Sequence, residues 1–173
     1  FLEALGAEIP TNVDELYEVL CAFRDNDCNG NGDKDDEIPL MGTQNSTGPA
    51  QVVNWLINMF LYFNDRKGWN VDDSGKLYAP YTTNEYREAL KFVNKLHKEG
   101  LMTEQSWTQS GSELKGITNP TGEDPFLVGI TFGNCEGMFS RDSRAMDVYQ
   151  PMRPLKAETP KGGYAPTVYT IPY

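Results

Sequence analysis

The stretch from Asp25 to Glu37, Asp-Asn-Asp-Cys-Asn-Gly-Asn-Gly-Asp-Lys-Asp-Asp-Glu, constrains this chain more than any other. It packs six acids and one lysine into thirteen residues and so carries half of the formal net charge of −10. Like charges at this density repel, so a folded loop here needs a very open shape or a cation. Oxygen-bearing side chains recur at every second position, at Asp27, Asn29, Asn31 and Asp33, with Gly30 and Gly32 between them to permit a tight turn. A hard dication that takes six to eight oxygens at about 2.4 Å suits this spacing, which favours Ca²⁺ over Mg²⁺, an ion that gives up its waters reluctantly. The EF-hand pattern is matched through Gly32 and then fails: Ile38 stands where Glu is required, and the carboxylates Asp35, Asp36 and Glu37 come earlier. The loop therefore reads as EF-like with a shortened second half. The competing reading is an acidic solvated loop that holds nothing. A cation here is expected to be structural, tying the end of the first long helix to a strand at Ile38–Met41.

The rest of the composition excludes whole classes. At 173 residues, with 39% hydrophobic and 23% charged, the chain suits one globular domain. A net charge of −10 argues against nucleic acid and against anionic membrane surfaces. No run of eighteen apolar residues exists, so no membrane span is expected. The chain starts at Phe1 without a secretory leader, which reads as a mature form or a piece of something longer. Three cysteines (Cys21, Cys28, Cys135) at no zinc-like spacing predict neither a disulfide framework nor a zinc site. One histidine, His97, builds no triad or His-rich metal centre by itself and is expected on the surface.

Periodicity and caps predict the elements. A helix opens at a Thr11/Asp14 capping box, carries Val13, Leu16, Tyr17, Leu20 and Cys21 on one face, and ends near Arg24. A second runs from about Pro49 to Phe63. A hairpin is expected around Asp73-Ser74-Gly75, between Trp69–Asp72 and Lys76–Ala79. A third helix begins at Thr82 or Thr83, buries Tyr86, Ala89, Leu90, Val93 and Leu96, and stops at Gly100. A short helix falls within Trp107–Ile117. Phe126–Phe132 is the clearest strand, with weaker ones at Asp147–Leu155 and Val168–Ile171.

With these residues in order, the chain resembles extracellular solute-binding proteins of bacterial ABC transporters, in the oligosaccharide-binding, lipoprotein-like branch. The resemblance runs through Ala4-Leu5-Gly6-Ala7-Glu8-Ile9-Pro10, the loop Asp27-x-Asn29-Gly30-Asn31-Gly32, and Asp36-Glu37-Ile38-Pro39-Leu40. It continues through Gly68-Trp69, Tyr78-Ala79-Pro80-Tyr81, the helix from Glu85 to Gly100, Val128-Gly129-Ile130 and Pro154-Leu155-Lys156. It implies an α/β chain, helix-rich with a small mixed sheet, forming part of a periplasmic-binding-protein-like type II fold. Residues 1–173 would be a single domain or fragment covering the middle part of a two-lobed protein. It also implies calcium held by the side chains of Asp27, Asn29 and Asn31, by the Asp33 carbonyl, and by two carboxylates. Those two are Asp35 and Asp36, the favoured pair, or Asp36 and Glu37, because one extra residue follows Gly32 compared with the usual pattern.

The function so implied is extracellular or periplasmic capture of a carbohydrate, with an ABC transporter permease as partner and no catalysis. The alternative is a calcium-stabilised module of an extracellular glycoside-active enzyme. A sugar cleft needs flat aromatics and a few fixed polar groups. Trp69, Tyr81 and Trp107 supply the first. Asn134 and Glu136, in the Gly133–Gly137 loop after the clearest strand, supply the second. Ligands of open α/β sheets sit beyond the carboxyl ends of strands, which favours that loop.

Overall fold

A computed structural model describes residues 1–44, 51–63, 68–72, 74–133, 139–140 and 142–158. The chain opens with a short helix, α1 (Leu2–Leu5), closed by Gly6 in the left-handed region at φ 60°. Helix α2 (Val13–Asp25) is capped by Asn12, whose Oδ1 accepts from the Glu15 N–H at 2.9 Å. The Glu15 carboxylate accepts in return from the Thr11 N–H and hydroxyl, both at 2.7 Å. The expected Thr11/Asp14 box is thus shifted by one residue, because Asn12 is the better acceptor at the extended position. Val13, Leu16, Leu20 and Phe23 form the buried stripe, while Tyr17 and Cys21 lie at its edge.

Strand β1 (Ile38–Met41) follows the acidic loop and is almost wholly buried. Helix α3 (Val52–Asn58) is shorter than expected. It gives way to turns at Met59–Leu61, whose side chains stay buried without helical geometry. The hairpin forms from β2 (Asn70–Val71) and β3 (Leu77–Tyr78), antiparallel, with Val71 opposite Leu77. Thr83 caps α4 (Asn84–Lys98), and Gly100 ends it at φ 70°. Ala89, Val93 and Leu96 face inward, whereas Leu90 is exposed, because it falls outside the buried stripe. Helix α5 (Gly111–Thr118) starts at a capping box between Ser110 and Glu113.

Strand β4 (Val128–Thr131) pairs parallel to β1, in register Ile38 with Val128, Leu40 with Ile130 and Met41 with Thr131. Parallel neighbours require a crossover, and the segment carrying α3, α4 and α5 supplies it. Met102 bridges to Leu40 on the other edge of β1, so β1 lies between two neighbours. The expected strand at Asp147–Leu155 is absent. Helix α6 (Ala145–Val148) stands there, followed by an extended segment that returns to the core through buried Leu155 and the Ala157 N–H to Met59 carbonyl bond of 2.8 Å. Pro151 and Pro154 remove ladder donors, which explains why no strand forms. The possible strand at Val168–Ile171 lies outside the described residues.

The core gathers Leu16, Leu20 and Phe23 of α2, Leu40 of β1, Leu56 and Ile57 of α3, and Leu96 of α4. Its tightest joint is at Gly129. A Cβ there would stand 2.5 Å from Phe23 Cδ2 and 2.9 Å from Phe1 Cδ2, so only glycine lets β4 approach the two rings. Those rings meet edge to face with centroids 5.2 Å apart.

Two measurements follow. Gly129→Ala overpacks this joint and is expected to lower the unfolding free energy by about 1–3 kcal/mol in urea denaturation. A variant as stable as the parent contradicts the packing described. The second concerns pH. Glu15 is held below its usual value of 4.5 chiefly by Thr11, and Glu113 chiefly by the Ser110 N–H. Groups depressed in the folded state contribute stability above their unfolded value and lose it as pH falls through the folded one. Glu15→Gln/Glu113→Gln should therefore lose less stability than the parent on acidification from pH 7 to about 3.

Candidate functional site

The acidic loop folds on side-chain-to-backbone bonds, three of which span two residues. Asn29 Oδ1 accepts from the Asn31 N–H at 3.0 Å, Asn31 Oδ1 from Asp33 at 2.7 Å, and Asp33 Oδ1 from Asp35 at 3.0 Å. Asp27 uses both oxygens, accepting from Gly30 at 2.7 Å and Gly32 at 2.8 Å. Gly30 at φ 75° and Gly32 at φ 91° take backbone conformations that side-chain-bearing residues avoid. The alternation of oxygens seen in the sequence is therefore an alternation of turns.

Asp36 closes the ring. Its carboxylate accepts from the amide nitrogens of Asn29 at 3.2 Å and Asn31 at 2.6 Å, which brings three side chains to one place. Glu37 reaches back across the loop, where Oε1 accepts from the Cys28 N–H at 2.7 Å and the Asn29 N–H at 3.2 Å. Its Oε2 is buried without a hydrogen-bond partner. Asp35 is set apart: its side chain is 82% exposed and lies 3.4 Å from Lys34. Asp35 and Asp36, expected as neighbouring ligands, thus point to different places in the loop. The extra residue after Gly32 turns Asp35 outward and leaves Asp36 facing the asparagines. Asp25 also points away and pairs with Arg24 at 2.7 Å.

This donor set suits a hard cation. A carboxamide oxygen has two lone pairs, so Asn29 and Asn31 keep one acceptor site each after serving the backbone. Among the described residues, no group of three or more His, Cys, Asp or Glu could hold a metal alone, so amide and carbonyl oxygens would complete any shell. Cys28, the soft candidate, is buried, and burial together with the nearby Glu37 carboxylate raises its thiol pKa above the ordinary value. That environment favours the neutral thiol. Cys21 and Cys28 are both free.

A second polar cluster stands at the carboxyl end of β1. The Gly42 N–H donates to Ser106 Oγ at 3.2 Å, the Thr43 hydroxyl to the Gln109 carbonyl at 2.5 Å, and Gln109 Nε2 to the Gly42 carbonyl at 2.5 Å. Thr43, Ser106 and Gln109 are all buried. No sequence signal announces this cluster, because its partners are 64 to 67 residues apart.

The three aromatics expected to stack on sugar are all exposed. Trp69, 58% exposed, leads into the hairpin, and Tyr81 is exposed beside it in sequence. Trp107, 39% exposed, lies on a short 3₁₀ turn and meets His97 edge to face at 6.1 Å. His97 is therefore half-buried against an aromatic ring and not a free surface residue. Asn134 and Glu136 lie outside the described residues.

Comparison with known proteins supplies the remaining context. The chain matches no protein-family model. It is 36% identical over 107 residues to lipoprotein LipO of Bacillus subtilis, covering 59% of this chain and 20% of LipO. It is 31% identical over 107 residues to FusA of Streptococcus pneumoniae, a fructooligosaccharide ABC transporter substrate-binding protein, covering 62% of this chain and 19% of FusA. In solved structures, FusA in complex with kestose superposes at a TM-score of 0.75 with 24% identity, over 95% of this chain and 31% of FusA. A solute-binding protein of Bifidobacterium longum infantis that binds HMO also gives 0.75, at 26% identity, over 95% of this chain and 35% of its own. The chain thus spans about a fifth of the curated relatives it matches. Its homologues are substrate-binding proteins of transporters rather than enzymes, and its fold is the α/β fold of solute-binding proteins. Among the described residues, no helix is long and apolar enough to cross a membrane.

The loop geometry generates its own test. Glu37→Ala orphans two backbone donors and is expected to lower the unfolding free energy by about 2 kcal/mol in urea with chelator present. A loss no larger than for Asp35→Ala contradicts the clamp.

Proposed function

We propose that this chain, a homologue of ABC transporter substrate-binding proteins, captures an oligosaccharide outside the cell for delivery to a transporter permease. The observation that carries this reading is the superposition, over nearly the whole chain, on a sugar-binding protein with kestose bound. On this reading residues 1–173 are the middle part of a two-lobed protein; they span about a third of the FusA and Bifidobacterium chains on which they superpose. Exposed Trp69 and Trp107 offer flat apolar faces to sugar rings, and no covalent step is needed.

Calcium belongs to the same reading as a structural ion. Asp27, Asn29, Asn31 and Asp36 would hold it by side chain and Asp33 by its backbone carbonyl, with Glu37 securing the backbone and Oε2 left for a further contact. One of the FusA structures is of an EF-hand mutant, so that relative has an EF-hand. When bound, the ion would neutralise part of the loop's charge and join the end of α2 to the start of β1.

Calorimetric titration with kestose, with and without chelator, tests the capture reading. Saturable heat is expected, and no binding of kestose or related oligosaccharides in either condition sinks it. For the ion, Ca²⁺ at 100 times its Kd should raise stability by about 2.7 kcal/mol. Asp36→Asn is expected to abolish that gain and Asp35→Asn to keep it. A melting temperature indifferent to chelation removes the calcium site.

A further inference from the structure

Asn29-Gly30 and Asn31-Gly32 are the only two Asn-Gly sequences in the chain, and both lie in the acidic loop. The loop needs glycine at Gly30 and Gly32, because their backbones sit at φ 75° and φ 91°. A glycine has no Cβ to keep its backbone nitrogen from the side chain before it. That nitrogen can attack Cγ of the asparagine. A C–N bond then forms, the Cγ–Nδ2 bond breaks, and the glycine N–H proton leaves with Nδ2 as ammonia. Water opens the resulting succinimide at either carbonyl–nitrogen bond, adding OH to carbon and H to nitrogen, and gives aspartate or isoaspartate. Nothing is oxidised or reduced, and water is the sole co-reactant. Gly30, Asn31 and Gly32 are exposed and Asn29 is half-buried, so water reaches the loop.

The folded loop holds the groups that this reaction uses. Both attacking nitrogens donate to Asp27, Gly30 to Oδ1 at 2.7 Å and Gly32 to Oδ2 at 2.8 Å. A carboxylate accepting that N–H opposes loss of its proton, because the nitrogen would become an anion beside it. Both leaving nitrogens donate to Asp36, Asn29 Nδ2 at 3.2 Å and Asn31 Nδ2 at 2.6 Å. The amide oxygens accept from the Asn31 and Asp33 N–H groups, so neither side chain turns freely. We infer that Asn29 and Asn31 are sites of spontaneous deamidation, restrained in the folded loop by Asp27 and Asp36. Each conversion adds a negative charge and replaces an N–H donor to Asp36 by a carboxylate, so Asp36 loses a partner and faces a like charge. Because one carboxylate serves both asparagines, reaction at either loosens the other. The inference requires neither a bound ion nor a sugar.

The full chain is incubated with chelator at mildly alkaline pH, folded and in guanidinium chloride, beside folded Asp36→Ala and Asp35→Ala. Peptide mapping by mass spectrometry reads conversion at residues 29 and 31, and circular dichroism reports folding. Both asparagines are expected to convert in denaturant and to convert far more slowly in the folded parent. Folded Asp36→Ala should react about tenfold faster than the parent, the loss of a hydrogen bond to a charged group. Asp35→Ala should match the parent, since the Asp35 side chain is 82% exposed and turned away from both asparagines. No conversion in denaturant overturns the sites. Equal rates in the folded and denatured parent overturn the restraint, a comparison that stands even if Asp36→Ala fails to fold. A folded Asp36→Ala as slow as the parent, or an Asp35→Ala as fast as Asp36→Ala, overturns the role of Asp36.

Discussion

The close approach of β4 to the Phe23 ring at Gly129 is the joint on which the rest depends. It seats α2 against the parallel pair and so sets where α2 ends and where β1 begins. The acidic loop spans those two points. Its acceptors come from both ends, Asp27 just past the helix and Asp36 and Glu37 just before the strand. A shift of the helix against the sheet would move one half of the loop relative to the other. Apolar packing thus positions the charges, and backbone amides answer three of the six, those of Asp27, Asp33 and Glu37.

Much of this was legible from residue order. Gly30 and Gly32 announced a tight loop, while the alternating oxygens, read in the sequence as cation spacing, bond their own backbone two residues on at Asn29, Asn31 and Asp33. The stripes of α2 and α4 and the glycine after α4 announced those helices. Other features were not legible. Asp35 and Asp36 are adjacent and chemically alike, and only the fold of the loop shows which one faces the asparagines. The start of α2 was misplaced by one residue because Thr11 and Asn12 are both able caps. Proline and apolar residues at 147–155 suggested a strand that the ladder's need for donors forbids.

The cluster of Gly42, Thr43, Ser106 and Gln109 was invisible for a different reason. Each residue is unremarkable in its own neighbourhood and acquires meaning only when the crossover brings the segment after α4 back to β1. Pattern reading finds what is periodic or locally dense, whereas this cluster is neither.

Parallel pairing of β1 with β4 also orders the assembly of the molecule in time. Helices α2 and α4 depend on near neighbours and can begin early, but the two strands meet only after the whole crossover has closed. The acidic loop is the opposite case: the hydrogen bonds of its carboxylate and carboxamide side chains from Asp27 to Glu37 all close within the loop, so its turns need no distant strand.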